Sequence, residues 1–207
     1  MKAYGFIPSL ITPKTARYNA PKSMNLPKKY TYRPFLSPVT NQGNDPYCIP
    51  HSLGCWLNWR ENTKTGARND YHIKYSDIYY SKTTKTGEGM TYLDAFDFLK
   101  KKGVRSDKGK LKISTVGYIP SEMFLKAALL ANGPCFGALP VYDTESPEFW
   151  KKNGGKNQGW HAITIVGWDE KGYIIRNSWG VGFGDKGYVT LPYSDVYNFK
   201  ELWTILG

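Results

Sequence analysis

Residues 41–60 read Asn-Gln-Gly-Asn-Asp-Pro-Tyr-Cys-Ile-Pro-His-Ser-Leu-Gly-Cys-Trp-Leu-Asn-Trp-Arg. A polar turn here leads into an apolar segment with helical spacing, and Cys48 stands at the junction. A helix that begins near Cys48 keeps Pro50 among the first positions, whose backbone N–H groups have no intrahelical partner. The partial positive charge of a helix start favours a thiolate, so we expect a lowered pKa for Cys48. The stretch therefore predicts a thiol nucleophile, and a cysteine that only packs in the core is the alternative for this residue taken alone.

The whole chain has 207 residues, enough for one sizeable domain or two small lobes that share a cleft. No apolar run is long enough for a membrane span, and the first residues lack the pattern of a signal peptide. Three cysteines are an odd number, which argues against an extracellular disulfide framework, and we predict that Cys55 and Cys135 are core residues. We therefore expect a cytoplasmic location, or the virion or host cytoplasm if the chain is viral.

The formal charge of +11 is concentrated in two segments. Residues 1–33 contain no acidic residue, and a second basic run covers residues 100–112. We expect mainly a solvated surface, with an acidic partner for the basic N-terminal extension as the alternative. No nucleic-acid motif is present, which argues against that partner. The cysteines and histidines lack zinc-ligand spacing, so we expect no metal ion, and nothing calls for a cofactor.

The hydrophobic periodicity places helices before strands. We predict helices over residues 48–61, 76–80 with Ser76 as N-cap, 91–102 and 121–132, and strands over residues 135–141, 161–168, 172–177, 187–191 and 199–206. This order indicates an α+β protein whose helical and strand-rich halves meet at a boundary.

A nucleophilic cysteine needs a base, and three histidines are available. His51 shares the predicted helix with Cys48 and would lie along its axis, whereas His72 falls in a polar turn. His161 opens a strand, and Asn177 ends the next strand of a predicted hairpin. Pairing of the two strands would bring the Asn177 amide oxygen to the His161 ring and fix its orientation. Trp179 could then cover that hydrogen bond from water.

These motifs together resemble the papain-like cysteine proteases. The resemblance covers roughly residues 26–191 and lies in Asn41-Gln42-Gly43, in Cys48 six residues after the glutamine, in His161-Ala162 at a strand start, and in Asn177-Ser178-Trp179-Gly180 continuing to Gly187-Tyr188. The absence of the family's disulfide cysteine, replaced by Asp45, is similar to bacterial or viral branches. Ile49 stands where the family has tryptophan, and this departure affects the shape of the cleft.

The resemblance implies a role for each site residue. Cys48 would be the nucleophile, His161 the base and then the acid, and Asn177 the residue that orients the imidazole. The side-chain amide of Gln42 would join the Cys48 backbone N–H in an oxyanion hole.

The resemblance also implies a substrate-binding set. Gly89 would pair with the extended substrate backbone, and Met90, Ala138 and Trp160 would line a pocket for a hydrophobic side chain, with Trp179 completing the set. The implied activity is that of a cysteine endopeptidase acting on a protein or peptide substrate through an acyl-enzyme. Two alternatives are a catalytically inactive peptide-binding module and an acyl transferase of the transglutaminase or transpeptidase type.

The family's fold has two lobes, a helical left lobe with a long central helix and an antiparallel β-barrel-like right lobe, with the site in the cleft between them. By this resemblance, residues 1–25 form a basic N-terminal extension and residues 26–207 the peptidase domain. The helical lobe would cover about residues 41–133, and the β lobe residues 134–207 together with a strand in residues 26–40. We expect the extension to pack on the body of the protein rather than to occupy the cleft.

Overall fold

The computed structural model describes residues 5–21, 23–82, 88–144 and 146–206. The helices of this part of the chain are α1 (Cys48–Thr65), α2 (Tyr75–Tyr79), α3 (Tyr92–Lys101) and α4 (Leu125–Asn132). The strands are β1 (Tyr30–Thr31), β2 (Val104–Ser106), β3 (Gly109–Leu111), β4 (Thr115–Tyr118), β5 (Cys135–Tyr142), β6 (Asn157–Trp168), β7 (Gly172–Arg176), β8 (Tyr188–Pro192) and β9 (Leu202–Leu206). Within the described residues, no helix is long and apolar enough to cross a membrane.

Seven of these strands form one antiparallel sheet in the order β4-β9-β5-β6-β7-β8, with β1 added against β6. The predicted α+β class is confirmed by this arrangement. The sheet is open and does not close into a barrel, since β4 and β8 are the two ends of the pairing order. Strand β1 pairs Tyr30 with Trp168, so part of the segment before α1 lies on the sheet.

Helix α1 occupies the centre of the molecule. It begins at Cys48, so Pro50 is its third residue and costs no intrahelical hydrogen bond. Residues 48–58 are all buried, because the helix runs between α2 and α3 on one side and the sheet on the other. Apolar side chains of α1, α3 and the facing strands form one core, and α4 packs on the opposite side of the sheet in a second core.

Local side-chain chemistry accounts for some of the helix ends. Thr91 caps α3 by accepting a hydrogen bond from the Asp94 backbone N–H at 3.0 Å, and Gly103 follows the helix with a φ of 73° that favours glycine. Ser121 caps a short 3-10 turn (Glu122–Phe124) that leads into α4. The prediction of Ser76 as N-cap is wrong, because α2 begins one residue earlier and Lys74 precedes it without a side-chain cap.

Three short strands were not predicted from the sequence. Strands β2 and β3, of three residues each, form a hairpin that is too short to show a period of two. Strand β4 pairs Val116 with Ile205 at one end of the large sheet. Residues 41–133 therefore contribute a strand to the sheet as well as helices.

Candidate active site

Cys48 is the first residue of α1 and is fully buried. Burial raises the pKa of its thiol, and backbone N–H groups of Ala162, Gly5 and Ile49 act in the opposite direction. The lowered pKa expected for a helix start is therefore not found, because desolvation outweighs the hydrogen bonds in this arrangement. Gly5 belongs to the N-terminal extension, so part of the environment of the thiol is supplied by the chain's own first residues.

His161 lies on β6 and Asn177 directly follows β7. The antiparallel pairing of Thr164 with Arg176 brings the two strands together, and His161 Nε2 lies 2.8 Å from Asn177 Oδ1. Both residues are buried. The Trp179 ring stacks on the imidazole with centroids 4.6 Å apart and 28° between the planes, and this aromatic cover excludes water from the ring. Sequence reasoning predicted this proximity of histidine, amide and indole.

Gln42 is joined to the same network through Ser178. The Ser178 hydroxyl donates to Gln42 Oε1 at 2.6 Å, and the Gln42 backbone N–H donates to the Ser178 carbonyl at 2.8 Å. The Ser178 backbone N–H also donates to Asn177 Oδ1 at 2.7 Å. Ser178 thus fixes the amides of both Gln42 and Asn177, a function that the sequence did not assign. The only sequence signal was its place between Asn177 and Trp179.

The expected substrate-binding residues lie in two places. Met90 and Ala138 belong to the core cluster that contains Cys48, and Trp160 packs against that cluster with Lys200 Nζ 5.5 Å from its ring centroid. Trp179 instead belongs to the aromatic group around His161. The backbone that pairs with an extended segment is that of Met90, one residue after Gly89.

That extended segment is part of the chain itself. The Met90 backbone N–H donates to the Gly5 carbonyl at 2.9 Å, and the Ile7 N–H donates to the Met90 carbonyl at 2.8 Å. Phe6 is only 5% exposed and meets Tyr92 edge-to-face with centroids 5.7 Å apart. The segment Gly5–Ile7 therefore lies beside Cys48 in the cleft.

The extension also has structural contacts away from the cleft. Ser9 donates from its backbone N–H and its hydroxyl to the buried Glu201 carboxylate at 2.8 and 2.9 Å. Further along, Tyr18 is buried and hydrogen-bonds through its backbone to Tyr118. The expectation that the extension packs on the body of the protein was thus incomplete, because residues 5–7 also cover the cleft.

The remaining histidines and cysteines lie outside this network. His51 is buried with Nδ1 2.7 Å from Thr40 Oγ1, and desolvation lowers its pKa to about 3. His72 is exposed and pairs with Asp107. Cys55 and Cys135 are buried free thiols, and burial raises the pKa of Cys135 to about 12. Within the described ranges, no group of three or more His, Cys, Asp or Glu side chains could hold a metal ion.

A family model described as "Papain family cysteine protease" matches residues 47–199. Among curated relatives, "Probable cysteine proteinase 224L" of Invertebrate iridescent virus 6 is 27% identical over 125 residues, which is 42% of this chain and 28% of the relative. "Gut-specific cysteine proteinase" of Caenorhabditis elegans is 36% identical over 78 residues, 34% of this chain and 24% of the relative. The matches thus span about a quarter of the length of these relatives.

Solved structures give the fold over the whole length. Xylellain, a cysteine protease from Xylella fastidiosa, aligns with a TM-score of 0.83 at 22% identity, covering 99% of this chain and 96% of that one. Procathepsin B S9 from Trypanosoma congolense aligns with a TM-score of 0.80 at 15% identity, covering 99% of this chain and 86% of that one. These alignments establish the papain-like fold, and together with the family match they show that the chain belongs to the papain family of cysteine proteases.

Proposed function

We propose that this chain is a cysteine endopeptidase in which Cys48 is the nucleophile. The observation that carries the proposal is the connected network Gln42–Ser178–Asn177–His161 beside the start of α1. An imidazole held by an amide oxygen on one nitrogen and covered by an indole is suited to exchange a proton through its other nitrogen. We assign that exchange, between His161 Nδ1 and the Cys48 thiol, to the first chemical step.

In this mechanism the Cys48 sulfur transfers its proton to His161 and attacks the carbonyl carbon of the scissile peptide bond. The carbon–nitrogen bond then breaks, and His161 returns the proton to the leaving amine, so that an acyl-enzyme thioester remains. Water attacks the thioester with His161 as base, which releases the acid and restores the thiol. The Gln42 side-chain amide and the Cys48 backbone N–H would stabilise the oxyanion of both tetrahedral states.

Substrate binding requires that the segment Gly5–Ile7 leave the cleft. The Met90 backbone, which pairs with this segment, would then pair with an extended substrate. The buried site of Phe6, beside Met90 and Tyr92 in the core cluster that also contains Ala138, would accept a hydrophobic side chain of the substrate. The extension would thereby limit access to Cys48 until it is displaced or removed.

Three further aspects remain predictions. An acidic partner for the basic extension and a cytoplasmic location rest on charge and composition alone. Cleavage within a chain, rather than from its ends, rests on the family resemblance.

The test is labelling by an epoxide inhibitor of the papain class under reducing conditions at neutral pH. A variant lacking residues 1–8, which keeps the contact of Ser9 with Glu201, should acquire one adduct, on Cys48, and Cys48→Ala in the same background should acquire none. The buried thiols Cys55 and Cys135 serve as internal controls. No adduct on Cys48 in a folded variant would contradict the proposal, and peptide binding without turnover of any substrate would favour the inactive binding module. A product joined to an added amine would instead identify acyl transfer.

A further inference from the structure

A second concave site lies on the helical side of the molecule, between α2, the end of α3 and the β2–β3 hairpin. It encloses about 550 Å³, a volume in the range of ligand-binding pockets. Tyr80 and Phe98 supply aromatic surface to it, and Tyr80 is 49% exposed. Lys102, Arg105 and Lys110 also line it, so its surface combines aromatic rings with positive charge.

The positive charge in this pocket is only partly neutralised. Arg105 and Lys110 are directly opposite each other in the β2–β3 hairpin, a pairing of like charges that costs free energy. Asp77 pairs with Arg105 through two hydrogen bonds of 2.6 and 2.7 Å, and this contact lowers the pKa of Asp77. Among the described residues, Lys102 and Lys110 have no carboxylate partner within 4.0 Å. An anion bound beside Lys110 would relieve its repulsion by Arg105.

The position of the pocket relates it to the cleft. The Tyr80 ring contacts the Tyr47 ring with centroids 6.5 Å apart, and Tyr47 is the residue before Cys48. The pocket therefore lies on the same side of the molecule as the start of α1, with Tyr80 between them. Aromatic and basic side chains in one concavity favour a chain with both acidic and aromatic residues over a uniformly charged polymer.

We propose that this pocket is an exosite that binds an acidic, aromatic-containing segment of a polypeptide substrate outside the catalytic cleft. The inference rests on the proposed peptidase function, which it deepens by naming the substrate class. Lys102 and Lys110 contact the carboxylates of the segment, and Tyr80 and Phe98 contact its aromatic side chain. Because the lysines are exposed, the contribution of charge to binding decreases as salt is added.

The test uses a Cys48→Ala variant, so that binding is measured without any dependence on turnover. A short fluorescein-labelled peptide rich in Glu and Phe is titrated with this protein, and fluorescence anisotropy reports Kd. Adding Lys102→Glu and Lys110→Glu should raise Kd roughly tenfold or more at low salt. The control pair Lys28→Glu and Lys29→Glu makes the same change in net charge on the exposed segment before β1 and should change Kd less than about twofold.

A second peptide with Gln in place of Glu should bind weakly to every variant. Equal weakening of peptide binding by the Lys102/Lys110 and Lys28/Lys29 substitutions would overturn the exosite, because the effect would then depend only on the net charge of the protein. Tighter binding of a single-stranded oligonucleotide at the same lysines would also overturn it, in favour of a nucleic-acid surface. Absence of peptidase activity in the protein with Cys48 intact, together with intact peptide binding in Cys48→Ala, would contradict only the proposed catalytic function, so the two failures are distinguishable.

Discussion

Replacing Phe6 with alanine should expose Cys48 to solvent without disturbing the hydrogen bonds among Gln42, Ser178, Asn177 and His161. Phe6 is 5% exposed and packs against Tyr92, so it provides the main apolar contact that holds the segment in the cleft. Truncating a fully buried phenylalanine to alanine costs about 3–5 kcal/mol of folding free energy. For Phe6 we take about 2 to 4 kcal/mol, because the segment can partly collapse into the space that the ring leaves. A decrease of this size in the free energy that holds the segment in the cleft raises the fraction of molecules with an open cleft roughly 30- to 1,000-fold. The two backbone hydrogen bonds to Met90 are unaffected by the substitution.

The assay is the rate of Cys48 alkylation by iodoacetamide, measured by mass spectrometry of the cysteine-containing peptides. Phe6→Ala should accelerate the reaction by the factor given above, until the open state dominates. Ile7→Ala is the matched control: Ile7 is 47% exposed and loses little burial, so its effect should stay below about fivefold. Gly5→Ala should act like Phe6→Ala, since an added methyl group would overlap the Pro46 carbonyl.

Two results would refute this reasoning. Unchanged alkylation of Cys48 in Phe6→Ala would mean that the segment does not control access to the thiol. Equal acceleration at Cys55 and Cys135, which are buried elsewhere, would mean that the substitution unfolds the protein. Removal of the segment should also lower the pKa of Cys48, because desolvation is the largest cause of its elevation, and the pH dependence of alkylation measures this change.

Two further substitutions test the surroundings of the site. Ser178→Ala removes the 2.6 Å hydrogen bond to Gln42. This variant should have a kcat/KM roughly tenfold lower, because the Gln42 amide proposed as an oxyanion donor is held less firmly. Activity equal to that of the wild type in a peptide assay would refute a positioning role for Ser178. His51 has a folded-state pKa of about 3 against an ordinary value of 6.5. The folded state therefore binds the proton less readily than the unfolded state, and the free energy of unfolding decreases as pH falls from 6.5 towards 3. Relative to His51→Gln, the wild type should lose about 2 to 3 kcal/mol of unfolding free energy by pH ~4.5 in denaturant titrations, whereas parallel pH profiles would contradict the burial of a neutral His51.

The sequence was informative where chemistry and periodicity coincide. Pro50 restricts the start of α1 to the neighbourhood of Cys48, and the strands that contain His161 and Asn177 are long and apolar enough to be recognised. Their antiparallel pairing follows from the short connection between them. The proximity of His161 and Asn177 could therefore be predicted from the sequence.

Other features depend on contacts between distant parts of the chain. The position of Gly5 next to Cys48 depends on a bridge between Phe6 and Met90, which have no local sequence signal. The elevated pKa of Cys48 follows from that burial, whereas the helix-start argument considers only the local backbone. The same limit applies to Ser178, whose hydroxyl has a partner 136 residues away.

The most direct test of the proposed mechanism is a cleavage-site profile of the chain lacking residues 1–8, compared with Cys48→Ala in the same background. A diverse peptide library is incubated with each protein under reducing conditions, and the products are identified by mass spectrometry. We predict internal cleavage by the active protein, with a hydrophobic residue enriched near the scissile bond, and none by Cys48→Ala. Cleavage that persists in the Cys48→Ala variant would contradict the assignment of Cys48 as the nucleophile.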